Sequence, residues 1–184
     1  MSAPALWTIG HGTRALEELI GLLQAHGIRC LVDVRTVPRS RRNPQFNRET
    51  LPGALTGAGI AYVHAPDLGG LRRPRADSPN TAWRNASFRG YADHMSSAEF
   101  GRALEGLIHR ARAMPTAVMC AESVPWRCHR SLIADALTAR GVGVSHILSA
   151  RRADPHVLTP WARVEGGQVT YPGTPRPHRR APDR

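Results

Sequence analysis

The sequence predicts an α/β domain: one unit built on a mostly parallel, open sheet with helices on both faces, in three layers. Three observations predict it. Short apolar runs alternate with segments of helical period along most of the chain. Gly and Pro punctuate their boundaries. At 184 residues the chain has the size of one domain with a full core.

Taken in order, Leu6-Trp7-Thr8-Ile9 reads as a first strand, ending in Gly10-His11-Gly12-Thr13. Residues 15–26 follow with Leu16, Leu19, Ile20 and Leu23 on one helical face, closed by Gly27. A second strand covers 30–35 and a third 60–64. A helical pair is expected over 80–95 and 97–113, the second stopping before Pro115. A buried strand at 116–121 leads into a helix at 128–140, and Val144 to Leu148 is the last strand. Residues 36–58 and 65–80 read as long loops rich in Arg, Pro and Gly. Loops of that length in a compact domain usually serve function. The domain is expected to span 1–171, with 172–184 a flexible basic tail rich in Pro and Arg.

Charge narrows the partners. All 25 basic residues are arginine, set against 14 Asp and Glu, for a net +11. Guanidiniums remain charged and grip phosphate or carboxylate as a planar fork. A phosphate-bearing small molecule or nucleic acid is therefore the expected partner. Three cysteines are too few for a disulfide scaffold. The start shows no secretory pattern, and no run approaches the ~20 apolar residues of a membrane span. A reducing cytoplasm, with no membrane partner, is the expected setting.

Chemistry concentrates at predicted strand ends, where open α/β sheets bind ligands. Cys120 and Glu122 should share a strand face, because side chains alternate. Cys128, His129 and Arg130 are expected in the first turn of the following helix, whose N–H groups and dipole attract anions. With Arg127 beside it, Cys128 should be partly thiolate and a candidate nucleophile. After the second strand, Asp33 can orient Arg35, and Arg39, Arg41 and Arg42 make a basic loop with Phe46. His11 follows the first strand, and Gly69 and Gly70 follow the third, permitting close backbone approach to a ligand. Tyr91 can reach the same edge but reads more readily as core. Spacing tests two named alternatives. The Arg that closes a cysteine-phosphatase loop would fall on Trp126 counted from Cys120, or on Ala134 from Cys128. A rhodanese-like sulfur transferase, with Cys120 on the loop, stays open.

These motifs together are similar to an uncharacterised prokaryotic family called domain of unknown function 488. The resemblance rests on Thr8-Ile9-Gly10-His11, on Leu31-Val32-Asp33-Val34-Arg35 with Pro38, Ser40, Arg41 and Asn43, on Leu68-Gly69-Gly70, and on Cys120-Ala121-Glu122 with Cys128-His129-Arg130. It runs from about 6 to 149. Gly12 departs from it, since members often carry Ser there. The resemblance implies a compact α/β domain with these residues in one cleft, and carries no activity with it.

The expected function is that of an enzyme, hydrolase-like, acting on a phosphate-bearing substrate such as a nucleotide or nucleic acid. His11, Asp33, Glu122, Cys128 and His129 are the candidate catalytic residues. Arg35, Arg39, Arg127, Arg130, Gly69 and Gly70 are the candidate anion binders. One alternative is a non-catalytic nucleic-acid-binding module using the basic loop and tail. The other is a metal- or thiol-dependent sulfur-transfer or redox protein. No cofactor is assigned. A transition metal on Cys120, Cys128, His129, His11 and Glu122 is the less favoured case, because the spacing matches no standard zinc pattern.

Overall fold

The computed structural model describes residues 5–174. The elements are β1 (Ala5–Gly10), α1 (Leu16–Ala25), β2 (Cys30–Asp33), α2 (Leu51–Gly57), β3 (Ala61–His64), α3 (Ala86–His94), α4 (Ala98–Ala113), β4 (Thr116–Cys120), α5 (Arg130–Thr138), β5 (Gly143–Ser149), β6 (Arg152–Pro155), β7 (Arg163–Glu165) and β8 (Gln168–Thr170). The sheet has six strands in the order β3-β2-β4-β1-β5-β6, and β7 and β8 form a separate hairpin. β1 to β5 are parallel, and β6 runs antiparallel along β5. The α/β class and the parallel sheet stand as the sequence predicts.

Alternation within the strands builds two cores. Ile9, Leu31, Ala117 and Met119 face Leu19, Leu22 and Leu23 of α1 and Leu51 and Leu55 of α2. Leu6, Val32, Val118 and Cys120 face the other layer, with Tyr91, Phe100, Leu104 and Leu132 from α3, α4 and α5. Right-handed crossovers require this division: connections stepping one way along the sheet cover one face, and those stepping back cover the other. β4 therefore lies between two strands, β1 and β2, whose helices leave to the opposite side. The three carboxyl ends part there and leave a crevice, as at a topological switch point. They are also level, because Met119 pairs with both Ile9 and Asp33, and Gly10 pairs with Cys120.

Several boundaries differ from the sequence reading. α3 begins only at Ala86, where the Asn85 side chain accepts from the N–H groups of Ser87 and Phe88. The expected loop 36–58 contains α2, anchored by the fully buried Leu51 and Leu55. The helix expected from 128 starts at Arg130, after a single 3-10 turn at Pro125–Arg127. β6, β7 and β8 have no counterpart in the pattern of the sequence. Tyr171 is fully buried, and Gly173 N–H donates to Thr81 Oγ1 at 3.0 Å. The expected tail lies outside the described residues beyond 174. No helix among the described residues is long and apolar enough to cross a membrane.

Candidate active site

Asp33 ends β2 with no exposed surface. Arg35 grips it with a two-point fork, Nε to Oδ1 at 2.9 Å and Nη2 to Oδ2 at 2.6 Å. Nη2 also donates to Phe46 O at 2.7 Å, and Tyr62 O–H donates to Asp33 Oδ2 at 2.7 Å. The remaining nitrogen, Arg35 Nη1, lies 3.3 Å from His11 Nε2. A guanidinium only donates, so Nε2 accepts. His11 Nδ1–H in turn donates to Gly12 O at 2.8 Å. This assigns His11 as neutral, with its proton on Nδ1. Burial holds its pKa below the ordinary value, and Arg35 adds to that. The ring stacks on Phe46 at 4.3 Å. Asp33, Arg35 and His11 thus form a clamp that ties the β1 and β2 loops together, with little left for a substrate.

The second group is the β4–α5 turn. Cys120 closes β4, and Cys128 sits in extended backbone one residue before His129, the N-cap of α5. Their sulfurs are 2.7 Å apart. Arg130, only 1% exposed, fans across the turn. Its Nε donates to Cys120 Sγ at 2.9 Å, Nη1 to Thr8 Oγ1 at 3.0 Å and Nη2 to Glu122 O at 2.5 Å. The N–H of Arg130 points at Cys128 Sγ at 3.5 Å, and those of Ser131, Leu132 and Ile133 are satisfied by Cys128 O and His129 O. The anion that the α5 N-terminus faces is therefore the protein's own sulfur.

A thiol pair this close loses its first proton readily and its second with difficulty. The hydrogen bond from Cys120 holds Cys128 well below the ordinary thiol value, against its burial, helped by His129 and Arg130. Burial, and next the bond to Cys128, pushes Cys120 up. The charge belongs on Cys128, the sulfur beside the imidazole. His129 Nε2–H donates to Val34 O at 3.1 Å, which turns Nδ1 toward Cys128 Sγ at 3.5 Å. A carbonyl of β2's extension therefore orients the histidine that serves the thiol.

Both groups border one cleft of about 700 Å3, the size of a small-ligand site. His11, Arg35, Arg39, Gly70, Glu122, Arg127, Cys128 and His129 line it, as the sequence leads one to expect. Asp33, Gly69 and Arg130 do not. Gly69 is buried against Thr36, its N–H donating to Pro66 O at 2.8 Å, so it offers no donor to an anion. Arg130 holds sulfur and backbone, not the ligand anion that the sequence leads one to expect. Glu122 and Cys120 do not extend one strand face, because β4 ends at Cys120; Glu122 is exposed, and its carboxylate accepts from Val124 N–H. Arg39 and Arg127 are exposed and make no side-chain ion pair or hydrogen bond among the described residues. Phe88, Tyr91, Val37 and Leu71 supply apolar wall, and Leu71 has φ +60°.

Ser123 is a site residue that sequence reasoning passed over. Gly12 has φ +51°, and a Cβ there would collide with Ser123 Oγ, so this hydroxyl fills the place a side chain at 12 would take. A Cβ on Gly10 would strike the backbone at Glu122, which explains glycine at the end of β1. Among the described residues no group of three or more His, Cys, Asp or Glu side chains is arranged to hold a metal ion.

A family model described as "Domain of unknown function DUF488" matches residues 15–137. Among curated proteins and among solved structures, nothing matches.

Proposed function

The chain belongs to the DUF488 family, and from that premise we propose that it is a thiolate-dependent enzyme of hydrolase type acting on a phosphate-bearing small molecule. One observation carries the reading: Cys128 Sγ faces the cleft with Cys120 at 2.7 Å and the oriented Nδ1 of His129 at 3.5 Å. A thiolate paired with an imidazole that a third group orients is the arrangement of an activated nucleophile. Arg39 and Arg127 supply the cations for the phosphate. Phe88, Tyr91 and Leu71 suit an apolar or aromatic body beside it. The free thiols fit a reducing cytoplasm.

In the reaction, Cys128 Sγ attacks the electrophilic centre. A bond from sulfur to that centre forms, and the bond to the leaving group breaks. The leaving group takes the Nδ1 proton, which His129 has received from the Cys128 thiol. Water then displaces the sulfur and returns a proton to His129, regenerating the thiolate. His11, Asp33 and Arg35 position the loops and take no proton.

The test is alkylation of Cys128 by iodoacetamide in the reduced protein, read by mass spectrometry of the peptide carrying it. Inorganic phosphate, nucleoside monophosphates and short oligonucleotides are the probes. Protection by a small phosphate compound, lost when Arg39 and Arg127 are both changed to Ala, is the expected result. Protection by oligonucleotides alone would move the substrate to nucleic acid. Protection by none would overturn the reading.

A further inference from the structure

We propose that Cys120 and Cys128 are a two-electron dithiol–disulfide couple, and that the cleft takes a hydroperoxide which oxidises it. The inference rests on the reading above only in using Cys128 as the reactive sulfur. A disulfide requires an S–S distance of about 2.05 Å, so the sulfurs need approach by only about 0.7 Å. The loop joining them is exposed at Ala121, Glu122, Ser123, Trp126 and Arg127, so a closing movement of that size displaces no packed core there. Both sulfurs border the cleft, which admits a small oxidant. The third thiol is excluded from the couple. Cys30 lies in register with Thr116, four residues before Cys120 on the neighbouring strand, roughly 13 Å along the sheet.

The chemistry balances with the groups in place. Cys128 thiolate attacks the distal oxygen of the hydroperoxide. An S–O bond forms, the O–O bond breaks, and the alcohol or water leaves with a proton from His129 Nδ1. Cys128 is oxidised to the sulfenic acid, and the peroxide is reduced. Cys120 Sγ then attacks Cys128 Sγ. The S–S bond forms, the S–O bond breaks, and water leaves carrying the Cys120 proton. Arg130 Nε, 2.9 Å from Cys120 Sγ, stabilises the charge that develops there as the proton departs. The sum is dithiol plus hydroperoxide to disulfide, alcohol and water. An external dithiol supplies the two electrons and two protons that reset the pair. The disulfide removes the nucleophile, so oxidation silences the proposed reaction reversibly and spares Cys128 the irreversible acids.

The experiment treats the reduced full chain with stoichiometric hydrogen peroxide and counts thiols under denaturing conditions. The expected result is loss of two of the three thiols, a mass lower by two hydrogens, a Cys120–Cys128 cross-linked peptide, and full recovery with dithiothreitol. In Cys120→Ser the peroxide should instead leave a sulfenic acid on Cys128 that dimedone captures. Three titratable thiols after treatment of the wild-type chain would overturn the proposal, as would oxidation of Cys128 to sulfinic acid with Cys120 still free. Phosphate protection in the reduced protein is read without peroxide, so the two proposals fail separately.

Discussion

Arg130 Nε donates to Cys120 Sγ at 2.9 Å while the same guanidinium reaches Thr8 on β1 and the backbone at Glu122. One buried cation therefore sets both the shape of the β4–α5 turn and the charge its sulfurs can hold. Lysine carries its donors on a single nitrogen and cannot span partners that three separate guanidinium nitrogens reach. Arg130→Lys is expected to cost about 2–4 kcal/mol, from hydrogen bonds to a charged group left unmade. It should also slow alkylation of Cys128 at neutral pH. Thermal unfolding and the iodoacetamide rate against pH measure the two effects.

The bond from Cys120 is the foremost cause of the acidity of Cys128. Cys120→Ala removes that donor and should move the midpoint of Cys128 alkylation upward, toward the ordinary thiol range. Cys120→Ser keeps an O–H donor and should move it less. Wild-type profiles in both variants would assign the acidity to His129 and Arg130 instead.

Asp33, fully buried, accepts from the Arg35 guanidinium, the Arg35 N–H and the half-buried Tyr62. Asp33→Asn leaves a buried guanidinium without its counter-charge and should destabilise by about 3–5 kcal/mol. Tyr62→Phe removes one partner of the carboxylate and should cost about 1 kcal/mol. Denaturant unfolding compares them. A stable Asp33→Asn protein with Cys128 reactivity abolished would return Asp33 to the chemistry.

A Cβ on Gly70 would stand 3.1 Å from His129 Nδ1, tight enough to press on the imidazole. Gly70→Ala is expected to alter Cys128 alkylation several-fold while stability changes by about 1 kcal/mol or less. A Cβ on Gly10 meets backbone, so Gly10→Ala should lower the melting temperature sharply.

The fold should weaken in mild acid. Burial, and next the neighbouring His156, pushes His146 down to about 4, and burial also lowers His11. A histidine with a depressed folded pKa contributes stability above its unfolded value, and loses it as pH falls toward the folded one. Between pH 6.5 and about 4 the unfolded chain binds more protons, so stability falls by about 3 kcal/mol for His146 alone. The Asp135 carboxylate is held below its ordinary value by the hydrogen bond from His156, against its burial, so it adds its loss only at lower pH. Melting temperature against pH reads the first window, and His146→Asn should flatten it.

Legibility followed locality. Strands β1 to β5 and helix α1 could be read because alternation and helical period are local patterns that burial enforces. The roster of cleft residues was largely legible too, because parallel strands deliver their following loops to one edge. α2 stayed hidden because Leu51 and Leu55 sit among Pro52, Gly53, Gly57 and Gly59, residues that read as loop, and gain their meaning only against the sheet. β6 to β8 are short edge and hairpin strands whose pairing partners cannot be read from their own residues.

Roles inside the cleft were another matter. The sequence by itself determined that Cys120, Cys128, His129, His11 and Arg35 would share a neighbourhood. Only the tertiary structure decided that Arg130 faces sulfur and backbone, that Arg35, beyond the Asp33 the sequence already pairs it with, turns to Phe46 O and His11, and that Arg39 and Arg127 border the cleft with no side-chain partner among the described residues. Which partner a guanidinium takes depends on register and crossover: Cys120 and Glu122 belong to Arg130's own turn, but only the pairing of β1 with β4 brings Thr8 within its reach. Directional bonds among residues distant in sequence exist only once the sheet has aligned them.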